Sequence, residues 1–253
     1  MDLRDLAPVV RKAVLIGGHD EHSDEPSDGV VNDLAAWRSH LTSSLGGNWY
    51  DSEIHEVTNG KKEDIAAELN WAKRSDISLL CFSGHGYLHK NEDGVIVTKM
   101  MISDNLVLSE RDLNVGTRWC MAIMDCCRRF PTQPEGSTED LLLKEFCKRS
   151  DQNTRLMYER AFRKCEYGFV KVYSADENEA AGDEISFTRE LIKMANNSIG
   201  NSANGILNIR DAVKLVGTVF YGSGIDEQQH PVYRGGRRLG HFPFAVRSVP
   251  LHG

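Results

Sequence analysis

The chain has 253 residues, 40% apolar and 26% charged, a globular composition that excludes a disordered, fibrous or collagen-like polypeptide. Lys and Arg number 30 against 37 Asp and Glu, so the formal charge is −7, without the basic footprint of a nucleic-acid-binding protein. No apolar run reaches the ~18 residues of a membrane helix. Met1-Asp2-Leu3-Arg4-Asp5 opens no signal-like apolar segment, so a cytoplasmic protein with no membrane or direct nucleic-acid partner is expected.

In chain order, Ala13-Val14-Leu15-Ile16, closed by Gly17-Gly18, reads as a buried strand. An acidic loop over 19–28 follows. Val30, Val31, Leu34, Trp37 and Leu41 fall at helical spacing and predict a helix over 29–44. A second strand is expected over 52–57, then an Asn59-Gly60 turn and a helix carrying Ile65, Leu69 and Ala72. A third strand, Ile77-Ser78-Leu79-Leu80-Cys81-Phe82, ends in Ser83-Gly84-His85-Gly86. Residues 87–108 alternate loosely around Asp93-Gly94 and suggest a hairpin. A short helix start is expected over 109–113.

The fourth strand, Trp119-Cys120-Met121-Ala122-Ile123-Met124, ends in Asp125-Cys126-Cys127-Arg128. The polar, Pro-containing stretch 131–140 reads as a surface loop, with one or two helices over 139–163. A fifth strand covers 168–174 and a helix covers 186–194. The stretch 195–205 is rich in Asn, Ser and Gly and reads as a loop, followed by a last helix over 209–217 and a short strand near 244–246. Alternating strands and helices argue for a mostly parallel sheet in a three-layer α/β/α sandwich. Residues 1–253 are expected to form one domain, with 168–253 completing the sheet and pocket.

Six cysteines are present, but no Cys-x-x-Cys pair, and a chain of this size does not need a disulfide framework. Free thiols are therefore expected. In open α/β sheets, function collects beyond the carboxyl ends of the strands. His85 and Cys127 each follow a buried strand. An imidazole can take the thiol's proton and later protonate a leaving group. The backbone N–H groups of Gly86 and Cys127 could hold a developing oxyanion. Taken singly, each residue has a plainer role, as a small core cysteine or a hydrogen-bonded strand-end histidine.

Phe82-Ser83-Gly84-His85-Gly86-Tyr87 resembles the histidine motif of the caspase and metacaspase superfamily, and Met124-Asp125-Cys126-Cys127-Arg128 resembles its cysteine motif. The histidine precedes the cysteine by 42 residues, near the caspase spacing of about 50. The opening strand, Val31-Asn32-Asp33-Leu34, the 59–69 segment, Tyr173-Ser174-Ala175-Asp176-Glu177-Asn178-Glu179-Ala180 and Phe187-Thr188 follow in family order, so the likeness covers about 12–195.

The resemblance implies a caspase-like fold and a cysteine endopeptidase with a Cys127–His85 dyad. Asp125 sits where relatives resembling metacaspases and clostripain carry a pocket aspartate, and Asp33 matches a second. Two carboxylates suit a guanidinium, so the expected substrate is a protein or peptide with Arg, then Lys, before the cut. Ser174 and Asp176 are expected among the substrate-binding residues. For Asp33 and Asp125, a helix-surface carboxylate and an N-cap are the plainer roles.

Metacaspases usually continue with His-Ser-Gly after the nucleophile, whereas this chain has Arg128-Arg129-Phe130, which puts the local turn in question. The acidic loop 19–28 lacks ordered ligand spacing, so no metal or cofactor is expected, although some metacaspases require calcium. Lys148-Arg149, Arg155 and Arg163-Lys164 lie in the region where the family often cuts itself, and Arg234-Gly235-Gly236-Arg237-Arg238 reads as a surface loop or a basic nucleotide or partner patch. Control is expected from a regulatory partner, an ion, self-cutting or a larger assembly. The short chain resembles bacterial proteases of immune or cell-death systems. The alternatives are a catalytically silent homologue that binds partners and another Cys–His acyl transferase.

Overall fold

The computed structural model of the protein describes residues 8–18, 27–58, 60–103, 105–130, 152–181, 186–202, 204–222 and 229–247. Strands β1 (Arg11–Gly17), β2 (Ile54–Thr58), β3 (Ile77–Ser83), β7 (Trp119–Asp125) and β8 (Gly168–Tyr173) pair in parallel in the order β8-β7-β3-β1-β2. Strand β10 (Val232–Arg234) adds to β8 antiparallel and forms one edge. The parallel strands are apolar on both faces because both faces are covered.

Residue parity sorts these faces. Ala13, Leu15, Leu79, Cys81, Met121 and Ile123 enter one core, with residues from α1 (Asp28–Thr42), α3 (Gln152–Arg163), α4 (Phe187–Ser198) and α5 (Ile209–Gly222). Val14, Ile16, Leu80, Phe82, Ala122 and Met124 enter the other. That second face is covered by α2 (Lys62–Ala72) and a three-stranded antiparallel sheet of β4 (Gly86–Lys90), β5 (Ile96–Ser103) and β6 (Leu106–Ser109). A two-stranded ribbon pairs β9 (Ile206–Asn208) with β11 (Pro243–Val246). The expected α/β sandwich is observed.

Two expectations are corrected. The expected hairpin around Asp93-Gly94 is present as β4 and β5, with β6 added alongside β5, whereas 110–113 form a turn rather than a helix. Helix α4 runs on to Ser198 and a 3-10 turn covers Ile199–Asn201, so much of the expected 195–205 loop is helical. Burial of Leu191, Ile192, Ala195 and Ile199 outweighs the weak helix propensity of Asn196-Asn197-Ser198. The loop over 131–140, Cys147, Lys148-Arg149, and most of the 19–28 loop lie outside the described residues. The five described cysteines are free thiols.

Candidate active site

Register brings the strand-end residues together. Ser83 pairs with Asp125 at the last shared position of β3 and β7, and the Gly84 N–H donates to the Asp125 carbonyl at 3.1 Å. His85 and Cys127 each lie two residues beyond that pair, on strands about 4.8 Å apart. Both line a cavity of about 130 Å³, together with Asp33, Asp125, Ser186 and Arg189. Parity separates the adjacent cysteines, since successive strand side chains face opposite sides. Cys126 packs with Phe82 and Met124 in the second core, where burial pushes its thiol pKa far up. Cys127 is only partly buried. The Ala181 N–H donates to Cys127 Sγ at 3.4 Å, and that thiol faces the Ala181 carbonyl at 3.8 Å.

The glycines near His85 serve packing. Gly84 has φ +146°, and a Cβ there would lie 3.0 Å from the Gly18 Cα. At Gly86 a Cβ would lie 2.7 Å from Cys126 Sγ. Gly86 opens β4 opposite Met100 and is not among the residues lining the cavity, so of the two expected oxyanion donors only Cys127 borders it.

Asp33 lies on the buried stripe of α1 with Val30, Leu34 and Trp37, which aims its carboxylate at the sheet rim. The hydroxyls of Ser83 and Ser186 donate to it at 2.7 and 2.6 Å, and the Arg189 Nε lies 3.4 Å away. Burial nevertheless raises its pKa, with both hydroxyls and Arg189 opposing. Asp125 accepts the Thr188 N–H at 2.9 Å, in the first turn of α4, where a helix favours negative charge. Burial and the neighbouring Asp33 overcome this and push Asp125 up to about 7.

The turn after Cys127 is held by Arg128, whose side chain is only 2% exposed. Its Nε donates to Thr98 Oγ1 at 3.1 Å, its Nη1 donates to the Ala175 carbonyl at 3.1 Å, and its guanidinium lies 4.0 Å over the Tyr173 ring. The backbones of Arg128 and 178–179 exchange bonds, with Arg128 N–H donating to Glu179 O and Asn178 N–H donating to Arg128 O. Arg128→Met is expected to leave buried acceptors unpaired, costing ~3 kcal/mol and lowering Tm by roughly 6–12 °C, read by thermal denaturation.

Ser174 and Asp176 are not among the residues lining the cavity. Ser174 is fully buried; its hydroxyl donates to the Cys126 carbonyl and accepts from the Cys126 N–H, both at 3.1 Å. Asp176 accepts the Glu177 N–H at 2.8 Å, while its own N–H donates to Glu179 at 2.9 Å. Both shape the segment whose Ala181 reaches Cys127. Arg155 is tied to Glu53 at 2.7 Å and stacks 4.0 Å from the Tyr50 ring. Among the described residues, no group of three or more His, Cys, Asp or Glu side chains could hold a metal ion. Among them, no helix is long and apolar enough to cross a membrane.

A family model described as the caspase domain matches residues 10–233. This chain belongs to the caspase-domain family. That is a family of cysteine peptidases, and residues 10–233 take in every cavity-lining residue named above. The solved structure of caspase-1 from Spodoptera frugiperda aligns with 91% of this chain and 88% of its own, at 12% identity and a TM-score of 0.55, a likeness of fold. No curated protein matched.

Sequence reasoning missed three contributors to the caspase-domain site: Arg189, Ser186 and Ala181. Ser186 carried a readable signal, because a Ser before an apolar helix is a cap. Its hydroxyl both accepts from the Arg189 N–H and donates to Asp33. Arg189 and Ala181 carried none, since their role depends on how α4 and the 174–181 segment meet the sheet.

Proposed function

We propose that this caspase domain is a cysteine endopeptidase that cleaves after Arg, and more weakly after Lys. The observation that carries the reading is the single cavity shared by Cys127, His85, Asp33 and Asp125 at the carboxyl ends of β3 and β7. His85 takes the proton of Cys127, and the thiolate sulfur bonds to the scissile carbonyl carbon, putting negative charge on its oxygen. The Cys127 N–H, with the Gly86 N–H as its expected partner, holds that charge. Collapse breaks the C–N bond, with the His85 proton passing to the leaving amine. Water, activated by His85, then hydrolyses the thioester and restores the thiol.

Asp33 and Asp125 receive the substrate guanidinium. Arg189 already stands beside Asp33, and its Nε makes no hydrogen bond among the described residues, so it is a displaceable stand-in. Ala181 must withdraw from Cys127 for substrate to reach the sulfur, which suits an enzyme held latent until activated. Fluorogenic peptides differing only in Arg, Lys or Asp before the cut test the specificity. Turnover is expected in the order Arg, Lys, Asp, and a preference for Asp would contradict it.

A further inference from the structure

A second cavity, of about 560 Å³, lies at the β10 edge and is lined by Arg210, Tyr233, Arg234, Arg237, Arg238 and His241, with Gly235 and Gly236. Its volume is within the range of small-molecule sites. Arg234 pairs with Lys171 in the middle of β8, and Arg238 Nη2 would lie 3.0 Å from a Cβ at Gly168, where β8 begins. The cavity is therefore at the opposite end of the sheet from Cys127.

Its charges are unbalanced. Of the four lining arginines, Arg234 is paired with Glu177 at 2.7 Å. Arg237 makes no ion pair among the described residues. Arg238 donates through Nε to the Gly235 carbonyl at 2.8 Å and stacks 4.7 Å from the Phe242 ring, but its buried Nη1 has no acceptor among the described residues. Arg210 Nη1 donates to His241 Nε2 at 3.0 Å, which fixes His241 as an acceptor there and leaves Nδ1–H to donate to Tyr233 Oη at 2.9 Å. The Tyr233 hydroxyl proton is then free to donate. The nearest acids are occupied: Asp211 faces Lys214 and Asn208, and Glu166 accepts the Leu239 N–H. Burial and then Arg210 lower the pKa of His241, with Arg238 and Lys214 adding to the effect and Asp211 opposing it.

We propose that this cavity binds a phosphate-bearing small molecule of nucleotide size. Planar guanidinium groups match phosphate oxygens two at a time, and a phosphate supplies an ionic partner for Arg237 and an acceptor for Arg238 Nη1, neither of which has one among the described residues. A concave site in a chain of charge −7 suits a small ligand better than an extended nucleic acid.

Calorimetric titration of the whole chain with ATP, pyrophosphate, inorganic phosphate and citrate, in phosphate-free buffer, tests this. Saturable binding of ATP, one per chain, is expected, with pyrophosphate weaker, phosphate weaker still and citrate weakest. Arg237→Glu, at an exposed position, should fold normally and weaken ATP binding about tenfold or more, while Arg237→Lys retains most of it. Cys127→Ala should bind ATP unchanged, which separates this site from the peptidase reading. In wild type, the His241 ring resonances should shift with ATP and their titration move to higher pH. Absence of saturable binding, equal affinity for citrate, or an unchanged affinity in Arg237→Glu would overturn the proposal.

Discussion

Cys127→Ala is expected to remove peptide cleavage almost completely, by about 10⁴-fold or more in kcat, with little change in Tm. Cys127 is partly exposed and lies two residues beyond the end of β7, so loss of its sulfur leaves little cavity. His85→Ala should be nearly as damaging, because residues that act as one catalytic unit fail together. Cys126→Ser is the control that separates neighbours two atoms of chemistry apart. Cys126 lies on the opposite face of the strand end, in a core that keeps its thiol protonated, and it should retain cleavage at a modest stability cost. Turnover of an Arg substrate by the purified variants, with circular dichroism to verify folding, measures all three.

Asp125→Asn is expected to make the protein more stable and a worse enzyme. The folded-state pKa of Asp125 is raised from 3.8 to about 7, chiefly by burial and secondarily by Asp33. The folded protein therefore holds a proton that the unfolded chain has released across that interval. Stability falls as pH rises from about 4 to about 7, and the full cost is present above that. Removing the carboxylate removes the cost, so Asp125→Asn should gain on the order of a few kcal/mol at pH ~8 and nearly nothing at pH ~4. Asn can still accept the Thr188 N–H through its amide oxygen.

The same change deprives an entering guanidinium of one of its two carboxylates, so kcat/KM for an Arg substrate should fall about 100-fold. In wild type, kcat/KM for that substrate should rise as pH increases through about 7, as Asp125 ionises. Asp125→Asn should lose that component and keep whatever pH dependence the dyad contributes. Melting curves and pH–rate profiles for both proteins check the two halves separately.

The sheet was legible because parallel strands covered on both faces read as unbroken apolar runs, as in Ile77-Ser78-Leu79-Leu80-Cys81-Phe82. The same runs, read to their ends, picked out His85 and Cys127 without coordinates. Strands β4 to β6 were harder. Ile96-Val97-Thr98-Lys99-Met100 mixes polar and apolar residues because only one face of that small sheet is buried. The end of α4 was hidden by Asn196-Asn197-Ser198, whose local preference for turns yields to packing of the preceding face. Arg128 was visible as a departure from the family pattern, but its burial under Tyr173 and its grip on Ala175 depend on residues far apart in sequence. Arg189 and Ala181 enter the site through tertiary contacts alone, so no local pattern announces them.

The most direct measurement is covalent capture of the nucleophile. The whole chain is treated with a peptidyl chloromethyl ketone ending in arginine, digested, and mapped by mass spectrometry. One adduct, on Cys127, is predicted, strongly reduced in His85→Ala and in Asp125→Asn. No adduct, an adduct on another cysteine, or labelling of Cys127 at the same rate in all three proteins would contradict the account.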